Sequence, residues 1–226
     1  MSKLTQWLRP SRGIPRTSWS AGDSNWKVNI KTFAVLVLGL WLFGSGEAAL
    51  VAAGLGQSPW TVLAEGVSEQ AAISIGWAYF WISAFVLLLW IPLRQKPGLG
   101  TFVNIVVIAT SLQVMIEVFP KPEQIGLQIG QILFGILLVG AGSGLYITCN
   151  VGPGTRDGLM TGLHARTGIS VGTARTAIEV SVVGIGALLG GTVGLGTILF
   201  AVLIGQSVAL AFGIVARLSP EVKPQG

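Results

Sequence analysis

Six stretches of this 226-residue chain are apolar almost without interruption, over 32–54, 73–93, 101–119, 126–148, 169–189 and 197–217. Their length is the strongest constraint on the fold. The hydrocarbon core of a bilayer is about 30 Å thick, and a helix rising about 1.5 Å per residue crosses it in about 20 residues. Inside hydrocarbon no water satisfies the backbone, so a crossing segment must close its hydrogen bonds internally as a helix. With 51% hydrophobic residues and only 10% charged ones, little chain remains for a soluble domain. The predicted fold class is an all-α membrane protein with six transmembrane helices.

A shift of 96 residues, with no gap, places Ile73–Gly76 (ISIG) on Ile169–Gly172 (ISVG) and Gly98–Thr101 (GLGT) on Gly194–Thr197 (GLGT). The same shift carries Gly39, Gly44, Gly46, Gly56 and Gly66 onto Gly135, Gly140, Gly142, Gly152 and Gly162. The chain therefore reads as a duplicated unit, 31–122 and 123–218, between an amino-terminal arm (1–30) and a short tail (219–226). Three spans per unit is an odd number, so the second copy must enter the membrane from the opposite side. Two inverted three-helix repeats are the expected architecture, one found in many secondary transporters. The repeat also disposes of an apparent signal-peptide cleavage site at Gly44–Gly46, because its counterpart at Gly140–Gly142 lies within a span.

Each unit contains a Gly-rich break before its second span, at Gly54–Pro59 and again at Gly152–Thr155. After each break comes a helical stretch of about twelve residues, 59–70 and 155–166, which at about 18 Å is too short to cross. These read either as broken or re-entrant helices or as amphipathic helices lying in the membrane interface, with Ser58 and Thr155 as their caps. A helix start offers free N–H groups and the positive end of the helix dipole, so the second break, with Arg156 beside it, suits an anion.

Charge inside the spans marks the candidate site. Counting along the fifth span from Ile169, Glu179 lies about 15 Å deep, where an ionisable side chain faces the protein interior and has a partner. Arg175, one turn earlier, and Asp157 on the second short helix are the expected partners. The shift maps Asp157, Arg175 and Glu179 onto Thr61, Tyr79 and Ser83, which all carry hydroxyls. Glu47 on the first span is a candidate proton carrier, whereas Glu117, at the end of the third, is expected to reach the surface. The candidate binding residues are thus Arg156, Asp157, Arg175, Glu179, Glu47, Thr61, Tyr79 and Ser83. The same charges could instead be structural. Cys149 and His164 are the only residues of their kinds, so no metal site, cofactor or catalytic constellation is expected.

Lys3, Arg9, Arg12, Arg16 and Lys27 face a single acid, Asp23, in the arm. A disordered cytosolic arm is expected, with Trp7, Trp19 and Trp26 able to rest on the leaflet. Arg94, Lys96, Arg156, Arg166, Arg217 and Lys223 fall on the same side as the arm, and Lys121 on the other, so both termini are expected in the cytosol.

The stretch GPGTRDGLMTGLHARTGISVG (Gly152–Gly172), followed by RTAIEV, GGTVGLGTILFAVLIG and, in the first half, WIPLRQKPGLGT, resembles the YczE-type bacterial integral membrane proteins. More distantly it is similar to the YitT-type group. That resemblance implies a six-helix protein of the bacterial cytoplasmic membrane and supplies no residue roles. Two functions follow as expectations: a secondary transporter for a small-molecule or anionic ligand bound between the repeats, or a membrane accessory protein whose charges only hold helices together. The bilayer is the expected partner, a second copy of the chain stays open, and neither nucleic acid nor catalysis is expected.

Overall fold

The computed structural model describes residues 14–22 and 24–219, and every helix in it is connected without strands among those residues. In chain order the helices are α1 (Ile30–Ala53), α2 (Pro59–Ala71), α3 (Ile75–Leu88), α4 (Trp90–Leu93), α5 (Leu99–Val118), α6 (Ile125–Thr148), α7 (Thr155–Thr167), α8 (Val171–Leu188) and α9 (Leu195–Leu218). Six segments are long and apolar enough to cross a membrane: α1, α3 with α4, α5, α6, α8 and α9. The two expected short helices are α2 and α7, thirteen residues each.

The helix starts obey local chemistry. Asn29 caps α1, its side-chain oxygen accepting from the Thr32 N–H at 2.7 Å. Pro59 opens α2, where its missing N–H costs nothing. The caps expected of the short helices are not formed: Ser58 sits at the cap position without bonding the helix backbone, and Gly154 occupies that position before α7. The Ser58 hydroxyl is turned to Glu47 instead.

Packing is built around α1 against α6, with α5 flanking α1 and α9 flanking α6. Glycines permit the approach. A Cβ on Gly46 would lie 2.5 Å from the Gly135 carbonyl oxygen, and one on Gly142 would lie 2.5 Å from that of Gly39. Lipid tails are as apolar as the side chains, so helix association here rests on close van der Waals contact between small residues. The contacts pair up under the 96-residue shift. Gly44 packs on Ser111 as Gly140 packs on Ser207, and Gly56 meets Gly194 and Thr197 as Gly152 meets Gly98 and Thr101. Backbone bonds do the same: Gly100 N–H donates to Val151 and Gly196 N–H to Leu55, both at 2.8 Å.

The arm differs from expectation over its described part. Ala21 N–H donates to the Cys149 carbonyl at 2.8 Å, the Ser20 hydroxyl to the Thr148 carbonyl at 2.6 Å, and the Trp19 indole to the Thr148 hydroxyl at 3.1 Å. The last carbonyls of a helix have no partner inside it, and this strap supplies them at the end of α6. Ser18 N–H also reaches Ser219 at the end of α9. Lys3, Trp7, Arg9, Arg12, Asp23 and the tail from Pro220 lie outside the described residues.

A central cavity between the short helices

The amino ends of α2 and α7 meet in the middle of the molecule. Arg156, the second residue of α7, lays its guanidinium 5.0 Å from the centroid of the Trp60 ring, the second residue of α2. Trp60 and Arg156 are equivalent positions under the shift. The guanidinium also stacks 4.9 Å from the Tyr79 ring and donates to the Tyr79 hydroxyl. A planar cation held between two aromatic faces keeps its remaining N–H groups in one plane, which suits an acceptor such as a carboxylate or phosphate.

Around this group lies a cavity of about 330 Å³. The first half contributes Phe43, Pro59, Trp60, Tyr79 and Asn104, the second Ser143, Tyr146, Arg156, Asp157, Arg175 and Glu179. Asp157 accepts from the Tyr146 hydroxyl at 3.2 Å and not from Arg175. Enclosure by the fold raises the Asp157 carboxyl above its ordinary range, and the Tyr146 hydroxyl and the Arg156 and Arg175 charges oppose that shift. Its side chain remains open to the cavity.

Arg175 and Glu179 form the expected pair one turn apart, with Nε 2.9 Å from Oε1. They are not buried between helices: their side chains are 52% and 29% exposed. The expected chain of three charges is thus three groups on one cavity, linked by proximity and not by a continuous bond network.

Three other candidates fall outside it. Ser83 is buried on α3 away from the cavity lining. Glu47 and Thr61 lie behind the wall, where the Thr61 hydroxyl donates to Glu47 Oε2 at 2.7 Å. Glu117 is exposed near the end of α5, as its position implies. Trp60, Asn104, Ser143 and Tyr146 escaped the sequence reading. Trp60 and Ser143 could have been found as the counterparts of Arg156 and Glu47, whereas Tyr146 maps onto Leu50 and gives no such signal.

Beside the cavity the two halves pack differently. In the first half α3 packs on α5, where a Cβ on Gly76 would meet the Ala109 carbonyl oxygen at 2.8 Å. The equivalent residues Gly172 and Gly205 make no such contact: a Cβ on Gly205 would meet nothing within 4 Å, and one on Gly172 only Ser170 Oγ at 3.9 Å. A second hollow of about 320 Å³, lined by Pro59, Arg175, Glu179, Gly205 and Gln206, fills this seam between α8 and α9.

Comparison with known proteins places the chain among proteins without an assigned activity. An uncharacterized protein of Haemophilus influenzae is 45% identical over 207 residues, covering 92% of this chain and 94% of the relative. The uncharacterized membrane protein YczE of Bacillus subtilis is 28% identical over 207 residues, covering 88% and 94%. No solved structure matches. The resemblance to YczE-type proteins is therefore borne out, and with the six apolar segments it makes this chain a membrane protein. Residues 30–212 match the family of unknown function DUF6198, and the chain belongs to that family.

Proposed function

We propose that this protein is a secondary transporter for a small anionic or zwitterionic solute, built from two inverted repeats with the binding site between them. The observation that carries this reading is the meeting of the two short helices at equivalent residues, Trp60 and Arg156, on a cavity lined from both halves. Broken segments in corresponding positions of two halves are where such proteins bind solute, and the positive ends of half-helices favour its anionic group. The reciprocal glycine contacts support a pseudo-twofold axis, which an odd number of spans per repeat lays in the membrane plane. The distribution of basic residues supports cytosolic termini in a bacterial cytoplasmic membrane.

The unequal seams support alternating access. Closing Gly172 onto Gly205 and opening Gly76 from Ala109 would exchange the conformations of the halves and turn the site to the opposite face. Arg156 and Arg175 would hold the anionic group, Asp157 and Glu179 any ammonium, and Asn104 and Ser143 would add hydrogen bonds.

The test is a thermal-shift screen of the purified protein against small anions and zwitterions, followed by Glu179→Gln. A ligand at 100 times its dissociation constant adds about 2.7 kcal/mol to stability. Glu179→Gln keeps the side chain's shape and hydrogen-bonding capacity, so it is expected to fold with a nearly unchanged Tm while losing that ligand shift. A large fall in the ligand-free Tm would instead make the pair structural and favour an accessory role.

A further inference from the structure

Four charged side chains line the central cavity, and only two of them neutralise each other. Arg175 and Glu179 form an ion pair, whereas Arg156 and Asp157 have no ionic partner among the described residues. These two are neighbours in sequence, yet their surroundings hold them apart. Arg156 is turned to the first half, between the Trp60 and Tyr79 rings and bonded to the Tyr79 hydroxyl. Asp157 is turned to α6, where Oδ2 accepts from the Tyr146 hydroxyl at 3.2 Å. Its other oxygen, Oδ1, accepts nothing from the described residues.

The neutral polar groups of the wall are unpartnered as well. Asn104, Ser143 and Thr155 are 7%, 5% and 2% exposed and line the cavity, and none of their side chains makes a hydrogen bond to a described residue. Polar side chains enclosed by a fold are as a rule bonded, so three that are not, on one cavity, are left for a molecule inside it. They stand close to the charges. A Cβ on Gly154, just before α7, would lie 3.2 Å from Asp157 Oδ2, 3.4 Å from the Tyr146 hydroxyl and 3.6 Å from the Asn104 side-chain amide. Thr155 precedes Arg156 directly.

We propose that the solute of this cavity is a small zwitterion of the amino-acid type, its carboxylate on Arg156 and its ammonium on Asp157, with Asn104, Ser143 and Thr155 completing its hydrogen bonds. This rests on the reading of the cavity as the solute site and narrows it to molecules that carry both charges. A simple anion would neutralise Arg156 and face Asp157 uncompensated, and a simple cation would do the reverse. An unpaired charge in an enclosed site is costly, and a zwitterion leaves neither. Size sets a second limit. At about 30 Å³ for each water molecule, the 330 Å³ of the cavity has room for about ten non-hydrogen atoms. An acid in the first turn also steadies α7 through the helix dipole, but that role does not distinguish one solute from another.

The experiment uses the whole protein in lipid nanodiscs and reads Kd from ligand-induced stabilisation. The probes are the common amino acids, β-alanine and 4-aminobutyrate, and for each that binds, its deaminated and decarboxylated counterparts, as propionate and ethylamine are for alanine. At least one amino acid within the size limit is expected to bind, and both counterparts at least tenfold more weakly. Asp157→Asn should cost the amino acid at least tenfold and leave the deaminated anion no weaker than in wild type, a change of selectivity that a merely structural carboxylate would not produce. The wild-type comparison stands alone if that variant fails to fold. Three results would overturn the proposal: no amino acid binds, a deaminated anion binds as tightly as its amino acid, or folded Asp157→Asn keeps the wild-type selectivity. Simple anions that bind and enter vesicles would leave transport standing without the zwitterion. Amino acids that bind with the expected pattern but do not cross the membrane would leave the zwitterion site standing without transport.

Discussion

Arg156→Ala is expected to weaken solute binding by about a hundredfold, the largest functional effect of any single change in the cavity. The guanidinium is the centre of the site, stacked between Trp60 and Tyr79 and bonded to the Tyr79 hydroxyl. A charge-assisted hydrogen bond contributes about 1.5–3 kcal/mol, so losing the cation from an enclosed site removes one to two orders of magnitude in affinity. Arg156→Lys keeps the charge but neither the planar fork nor the stacking, and should fall between the two. Titrating ligand-induced stabilisation for the three proteins checks this order. An alanine variant that binds like wild type would place the site elsewhere.

The largest effect on stability is expected at the α1–α6 contact. Gly46→Ala puts a methyl group 2.5 Å from the Gly135 carbonyl oxygen, and Gly142→Ala does the same at Gly39. The obstacle is backbone, so the helices must separate, and overpacking of this kind costs about 1–3 kcal/mol. Each variant should melt well below wild type, and the two should be worse together. Gly205→Ala is the matched control: its Cβ enters open space in the seam, and removing a glycine from a helix costs nothing. Its Tm should stay at the wild-type value or rise slightly.

What the sequence reveals of this molecule follows from which interactions repeat. The spans are legible because crossing a bilayer demands about twenty apolar residues whatever they pack against. The short helices are legible because Pro59 and the glycines of the two breaks interrupt that pattern at equivalent places. Arg175 and Glu179 are found by depth and spacing, since residues four apart share a helix face. The exposure of that pair is not legible, because it depends on a seam that is closed in one half and open in the other although both carry small residues there. The clamp on Arg156 is half-legible. Its position is marked by the break, but Trp60 and Tyr79 reach it only once two halves distant in sequence are packed. The strap from Ser18 to Ala21 is missed for another reason: a basic arm without periodicity gives no sign that its backbone and hydroxyls satisfy the end of α6.

The alternating cavity is tested most directly by a single cysteine at Ser143, which lines the central cavity from α6, in a background with Cys149→Ser. The protein is reconstituted in vesicles of known orientation, and a membrane-impermeant maleimide is added to one side at a time. The site should label from either side, and a ligand found in the screen should shift the ratio of the two rates. Labelling from one side alone, at a rate no ligand changes, would contradict alternating access.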